Sequence, residues 1–323
     1  MAMRDAILAF HTQFSYEPQI ENSQNFVALK KFIVLGMGGS HWAADLLKTC
    51  NPALNITIHN NYGLPALSQD ILKSSLIIAS SYSGNTEETI DGFRTAIEKR
   101  LPLIAIATGG MVLDIAKNQS IPYIQMPSLG IQPRSALGFS MRSLLKAMSE
   151  EDALVESSGL ARSLEPSRFE SRGKEIAENL KGSVPVIYAS SRNAALAYVW
   201  KIKFNETGKI PAFANIFPEL NHNEMTGFDV KESTKGLSKS FSFLLLKDAD
   251  DHPQIRKRME ILEKLYRDRN LTVAAINLAG DTCWDKVFSS VILADWAAYY
   301  TAGVYGVEPE QVPMVDEFKR LVG

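Results

Sequence analysis

Short runs rich in β-branched and other apolar residues recur along this chain, each followed by a longer segment of helical character. In the first half the runs are KFIVLG (31–36), NITIHN (55–60), SLIIASS (75–81), LIAIAT (103–108) and YIQM (123–126). Helical segments fall near 40–49, 86–100 and 111–118, and a longer one follows Gln132. The runs lack apolar/polar alternation, the pattern of strands covered on both faces of a parallel sheet. Parallel strands joined through helices require right-handed crossovers, so the predicted fold class is α/β. The second half repeats the rhythm, with strands predicted at 184–190, 211–217, 240–246 and 271–278 and helices at 152–181, 192–207, 253–269 and 282–305. A chain of 323 residues is long enough for about two domains. The polar segment 149–171 marks the break between them, giving expected domains 1–152 and 153–323. Each is read as an α/β sandwich with a mainly parallel sheet, and the shared rhythm suggests a duplication.

Composition narrows the function classes. Hydrophobic residues make up 46% and charged residues 22%, a globular profile. Thirty-four Lys and Arg against thirty-six Asp and Glu leave a net charge of −2, which argues against nucleic-acid or membrane-surface partners. No uninterrupted apolar stretch is long enough to span a bilayer, and the start MAMRDAILAFHTQFSYEPQ lacks a signal-peptide pattern. Cys50 and Cys283 form no CxxC pair and suit reduced, apolar-like thiols. The expected location is cytoplasmic.

Two strand-to-helix loops carry chemistry. The first is Gly36-Met37-Gly38-Gly39-Ser40, where glycines let backbone amides approach an anion at a helix N-terminus. A dinucleotide fingerprint would need glycine at 41, where His41 stands, and no P-loop motif occurs. A bare tight turn explains this loop equally well. The second is Ser81-Tyr82-Ser83-Gly84-Asn85-Thr86-Glu87-Glu88. Helix capping by Thr86 or Ser83, supported by Glu87 and Glu88, accounts for one hydroxyl. Three hydroxyls beside a glycine, without lysine or metal motif, suit a monophosphate. GMGGS followed by SYSGNTEET resembles the sugar isomerase (SIS) domain, a phosphosugar-binding α/β module.

The helix predicted at 192–207 ends Lys203-Phe204-Asn205-Glu206-Thr207-Gly208, with Gly208 as the expected cap. A helix C-terminus stabilises a carboxylate poorly, which suits Glu206 as a proton-abstracting base. An isolated Glu there is more often a surface residue paired with Lys203 or Lys209. His222, in Pro218-Glu219-Leu220-Asn221-His222-Asn223-Glu224, is a candidate proton carrier, although a lone His is more often structural. The five histidines show no metal-binding spacing.

KxKFNE followed by PELNHNE resembles the bifunctional phosphoglucose/phosphomannose isomerases, a family of two SIS domains. The similarity extends to Gln132-Pro133-Arg134-Ser135, to Asp295-Trp296-Ala297-Ala298-Tyr299-Tyr300 and to a terminal lysine, Lys319. It implies a metal-independent aldose–ketose isomerase acting on 6-phosphosugars, with no cofactor. Glucose 6-phosphate and fructose 6-phosphate are the implied pair, with mannose 6-phosphate a further candidate. By the same resemblance Glu206 moves a proton between C1 and C2 through a cis-enediol. Arg134 would stabilise the enediolate, and His222 and Lys319 would open the sugar ring. Gly38, Gly39, Ser40, Ser81, Ser83 and Thr86 would hold the phosphate. The implied assembly is a homodimer with shared active sites, His222 coming from the neighbouring subunit. Asp295 is read as structural. The chain departs from the family at His41 and at Glu308-Pro309-Glu310, where a DPT segment linked to mannose activity is usual. A non-catalytic phosphosugar sensor would keep the loops and lose Glu206, His222 and Arg134; a nucleotide-dependent oxidoreductase would need the missing glycine.

Overall fold

The computed structural model describes residues 2–322, which divide into two compact units at Leu164/Glu165, inside the polar segment 149–171. The first unit contains β1 (Lys31–Leu35), α1 (Gly39–Cys50), β2 (Asn55–His59), β3 (Leu76–Ser80), α2 (Glu87–Glu98), β4 (Leu103–Ala107), α3 (Gly110–Asn118), β5 (Tyr123–Gln125), α4 (Leu137–Ala147) and α5 (Glu151–Ser158). Its strands form a parallel sheet in the order β2-β1-β3-β4-β5. β3 is buried at every residue, which explains why its sequence does not alternate. Ile33, Leu35 and Ile77 pack with Leu72, Ala96 and Leu101. Ala79 and Ala105 pack with Phe93, Val112 and Leu113. Phe93 is fully enclosed, and truncating such a ring costs about 3–5 kcal/mol.

The predicted helix 152–181 is three helices, α5, Leu160–Ser163 and α6 (Glu170–Asn179). Pro166 has no amide to continue the ladder, and Glu165 before it leaves the helical region at φ −117° and ψ 87°. α5 stays with the first unit because Arg142 of α4 donates to Leu154 O at 3.0 Å and to the Ser157 and Ser158 hydroxyls at 2.9 Å.

The second unit continues with β6 (Val184–Ser190), α7 (Ala194–Glu206), β7 (Phe213–Phe217), β8 (Phe241–Lys247), α8 (Pro253–Arg267), β9 (Thr272–Asn277), α9 (Cys283–Tyr305) and α10 (Pro313–Val322). Its parallel sheet runs β7-β6-β8-β9, the order of the first four strands of the other unit. β6 therefore corresponds to β1, β7 to β2, β8 to β3 and β9 to β4. Tyr188, Phe217, Leu220, Phe243 and Tyr266 form the centre of its core. α9 starts in a capping box, with the Asp285 amide on the Thr282 hydroxyl at 3.1 Å and the Thr282 amide on the Asp285 carboxylate at 3.2 Å.

No described helix is long and apolar enough to cross a membrane. Neither Cys50 nor Cys283 is a free thiol, contrary to the expected reduced pair. Spacing along the chain does not report the state of a thiol.

Candidate active site

In a 2-1-3-4-5 sheet the chain reverses direction of winding between β1 and β3, and ligands bind beyond the carboxyl ends of those two strands. Both hydroxyl-bearing loops lie there. They are joined to each other by Ser80 Oγ donating to Ser40 O at 3.0 Å and by the Tyr82 amide donating to Ser40 Oγ at 2.9 Å. Ser40 is buried, and its hydroxyl proton remains available to a ligand. Gly38 is exposed, with φ +50°, while Gly39 is buried.

The second loop is a hydroxyl-braced turn. Ser81 Oγ accepts from the Gly84 amide at 3.1 Å and pairs with Thr86 Oγ1 at 2.9 Å, while Ser83 Oγ accepts from the Asn85 amide at 3.2 Å. The expected capping by Thr86 does not occur. Thr86 stands at the N-cap of α2, but its side chain makes no cap bond because its hydroxyl is turned to Ser81. The first-turn amides of α2 are left without a side-chain acceptor, and with the helix dipole they favour an anion. Ser81 is fully buried and braces the turn, whereas Ser83 is exposed. Asn85, which sequence reasoning passed over, accepts from the Met111 amide at 3.0 Å and holds this turn to the start of α3.

His41 is buried one position beyond Ser40, its Nδ1 2.7 Å from Asp45 Oδ2. Arg134 lies on a short 3₁₀ turn, Pro133–Ser135, and is 2% exposed. That turn packs on Gly39 so closely that a Cβ there would stand 3.0 Å from Pro133 O and 3.3 Å from the Arg134 amide. The buried Gln13 fixes it, donating to Ser135 O at 2.7 Å and accepting from the Gly138 amide at 3.0 Å. The structure thus brings Arg134 to the glycine loop, a proximity separated by about a hundred residues of chain. Gln13 had no signal in the sequence.

The corresponding place in the second unit carries a network of charges. Beyond β6 and β8 stand Asp248, Asp250 and Asp251 with Arg192, Asn193 and Lys286. Lys286 Nζ is 3.1 Å from Asp248 Oδ1 and 2.6 Å from Asp250 Oδ2, and Asn193 Nδ2 donates to Asp248 Oδ2 at 3.2 Å. Burial works against the Asp248 charge, but the Asp250 amide, Lys286 and Asn193 outweigh it and hold the carboxyl below its ordinary range. Three carboxylates against two cations repel a phosphate. Among the described residues no three His, Cys, Asp or Glu groups come together as metal ligands.

Glu206 is the last residue of α7 and is half-buried. Lys203, one of its expected surface partners, is instead buried against Asp295, Nζ to Oδ1 2.6 Å. The other, Lys209, donates its ammonium to the Glu206 and Gln311 carbonyls. It thereby ties the end of α7 to the segment entering α10, which carries Lys319. The left-handed residue that ends α7 is Lys209, at φ +57°, and not Gly208. Gly208 passes too close to Phe204 O for a side chain, a Cβ standing 2.8 Å away. In that segment Glu308 caps the turn, accepting from the Glu310 and Gln311 amides at 2.8 and 2.6 Å.

His222 is exposed just after β7 and a 3₁₀ turn, Glu219–Asn221. α7 runs antiparallel to β6 and β7, so Glu206 lies toward the amino end of β7 and His222 beyond its carboxyl end. Five residues of strand separate those ends by about 17 Å.

Comparison with known proteins follows the same line. The bacterial phospho-glucose isomerase C-terminal SIS domain matches residues 169–322. A bifunctional phosphoglucose/phosphomannose isomerase from Caldicellulosiruptor bescii is 33% identical, covering 90% of this chain and 89% of its own. The protein so named from Aquifex aeolicus is 30% identical over 96% of this chain and 95% of its own. Among solved structures, glucosamine-6-phosphate deaminase from Thermotoga maritima has a TM-score of 0.70 at 14% identity, covering 96% of this chain and 97% of that one. A glucose-6-phosphate isomerase like protein from Thermus thermophilus has a TM-score of 0.61 at 18% identity, covering 95% and 93%. These structural likenesses speak to the two-sheet fold.

Proposed function

This chain belongs to the bifunctional phosphoglucose/phosphomannose isomerase family, and on that premise we propose that it interconverts glucose 6-phosphate and fructose 6-phosphate. The observation that carries the reading is the pair of interlocked, hydroxyl-bearing loops at the β1/β3 crevice, with the α2 N-terminus uncapped. Such a site offers hydroxyls, amides and a helix dipole to a phosphate, and binding energy from that remote group serves the reacting carbons. Gly38, Gly39, Ser40, Ser83 and Thr86 line it, and Ser81 braces it.

In the proposed mechanism Glu206 removes the proton from C2 of the open-chain aldose and returns it to C1, through a cis-enediol. The reverse transfer makes the aldose. Arg134 offsets the negative charge on the enediolate oxygens, a task suited to a buried, pre-positioned cation. His222 and Lys319 move the protons that open the ring. Mannose 6-phosphate differs from glucose 6-phosphate at C2, so its formation requires the same base to meet the other face of the enediol.

We further propose a homodimer in which His222 serves the neighbouring chain's site. The opposite placement of Glu206 and His222 along β7 supports this, because one small sugar does not span that length.

The test is conversion of fructose 6-phosphate, with glucose 6-phosphate and mannose 6-phosphate scored separately, with and without EDTA. Glucose 6-phosphate should form at the same rate in both. The mannose product is scored by itself because the C-terminal segment reads Glu308-Pro309-Glu310. Binding of fructose 6-phosphate without turnover would make the protein a sensor, and complete loss on chelation would overturn the metal-independent mechanism.

A further inference from the structure

The segment that carries His222 is pinned on both sides. Before it, Leu220 is fully buried in the core with Phe217 and Tyr188, and the Ser191 hydroxyl donates to Phe217 O at 2.8 Å. After it, the Glu224 side chain turns back onto the sheet. Tyr188 Oη donates to one carboxylate oxygen of Glu224, and Asn215 Nδ2 donates to the other. Tyr188 on β6 and Asn215 on β7 are register partners in adjacent parallel strands, so both side chains leave the same face side by side. Two neutral donors, one strand spacing apart, therefore hold one carboxylate in a fixed orientation. Asn223 completes the arrangement, its Oδ1 accepting from the Glu224 amide at 2.6 Å and its Nδ2 donating to Glu219 Oε1 at 2.8 Å.

We infer that Glu224, clamped by Tyr188 and Asn215, is a positioning residue that fixes the backbone carrying His222. This rests on the proposed role of His222 in ring opening. An exposed imidazole on a loop has many rotamers and a mobile backbone; anchoring residues two positions either side removes the backbone freedom. The donors do not switch off in the working range. Burial, then the neighbouring Tyr266 and Glu224, push the Tyr188 phenol far above its ordinary value, and burial pushes Tyr266 up to about 12. Tyr188 stays protonated, and so a donor, at any pH near neutrality. Since both Glu224 side-chain oxygens accept from neutral donors, an amide in its place would turn a donor toward one of them.

The test separates ring opening from proton transfer. Fructose 6-phosphate cyclises through O5, whereas 5-deoxyfructose 6-phosphate has no hydroxyl able to close a stable ring and reaches the base already open. Solvent deuterium exchange at C1, followed by NMR, reads proton transfer for both substrates. Glu224→Gln and Tyr188→Phe should each lower kcat for fructose 6-phosphate on the order of tenfold. KM should stay within about twofold, since the phosphate loops are untouched. Exchange from the 5-deoxy substrate should be unchanged. His222→Gln is the control and should show the same selectivity. Equal losses on both substrates, or none, alongside a selective His222→Gln would overturn the clamp and leave the ring-opening role standing. A non-selective His222→Gln would instead overturn that role, and the clamp with it. Tyr188→Phe removes one donor while keeping the ring that packs the core, so it decides the matter if Glu224→Gln folds poorly.

Discussion

Gly84 holds the turn between β3 and α2 where no side chain fits. Its φ is +73°, and a Cβ would come within 1.8 Å of Gly109 O. Gly84→Ala should cost about 2 kcal/mol or more in chemical unfolding and raise the KM for fructose 6-phosphate. Glu206 gives the complementary case. If it is the base, Glu206→Gln should lower kcat about a thousandfold in the isomerase assay and leave KM nearly unchanged. Ordinary turnover in that variant would remove it from the mechanism. Ser40, Ser83 and Thr86 stood out in the sequence because turn chemistry is local and its residue types are few. Gln13, Asn85 and the Tyr188–Asn215 pair did not, since each acts on a partner brought near only by the sheet.

Among elements, the packing of α7 against α9 encloses a charge pair. Lys203 and Asp295 lie 2.6 Å apart with side chains 0% and 3% exposed. Lys203→Met would strand a carboxylate in the interior, at an expected cost of about 3–5 kcal/mol in unfolding free energy. Pairing it with Asp295→Leu should recover most of that loss. The charge network of the second unit makes a pH-dependent prediction. Burial raises the Asp251 carboxyl above its ordinary range, opposed by Ser190 and reinforced by the Asp248 charge. A folded-state value above the unfolded one means that ionised Asp251 costs stability as pH rises through it. Asp251→Asn should therefore raise the thermal midpoint at pH 7, with the gain fading as pH falls toward 4 or below. A gain that persisted in acid would point to some cause other than charge. At this scale the sequence misled twice. A long amphipathic stretch concealed the break at Glu165–Pro166, and Gly208 drew attention from Lys209, whose left-handed backbone ends α7.

For the molecule as a whole, the proposed exchange of His222 between chains has a direct consequence. Glu206→Gln and His222→Ala dimers should each be inactive in the ring-opening-dependent assay. Subunit exchange between them makes mixed dimers in which one site has both native side chains and the other has neither. With half the dimers mixed, about a quarter of native activity should return. No recovery after verified exchange would place His222 in its own chain's site.

Fold class and the two-fold repetition of the sheet were readable from the chain because solid apolar strands and helical spacing are local consequences of burial on both faces. The turns after β1 and β3 were readable for the same reason, since the order of glycine and hydroxyl residues encodes the turn. The charge network beyond β6 and β8, and the approach of Arg134 to the glycine loop, were not readable. Asp248 and Lys286 meet across about forty residues, and Arg134 reaches Gly39 across about a hundred, so their charges combine only after the strands are ordered. The hold on Glu224 is of this second kind: strand register sets Tyr188 beside Asn215, and register is a property of the assembled sheet.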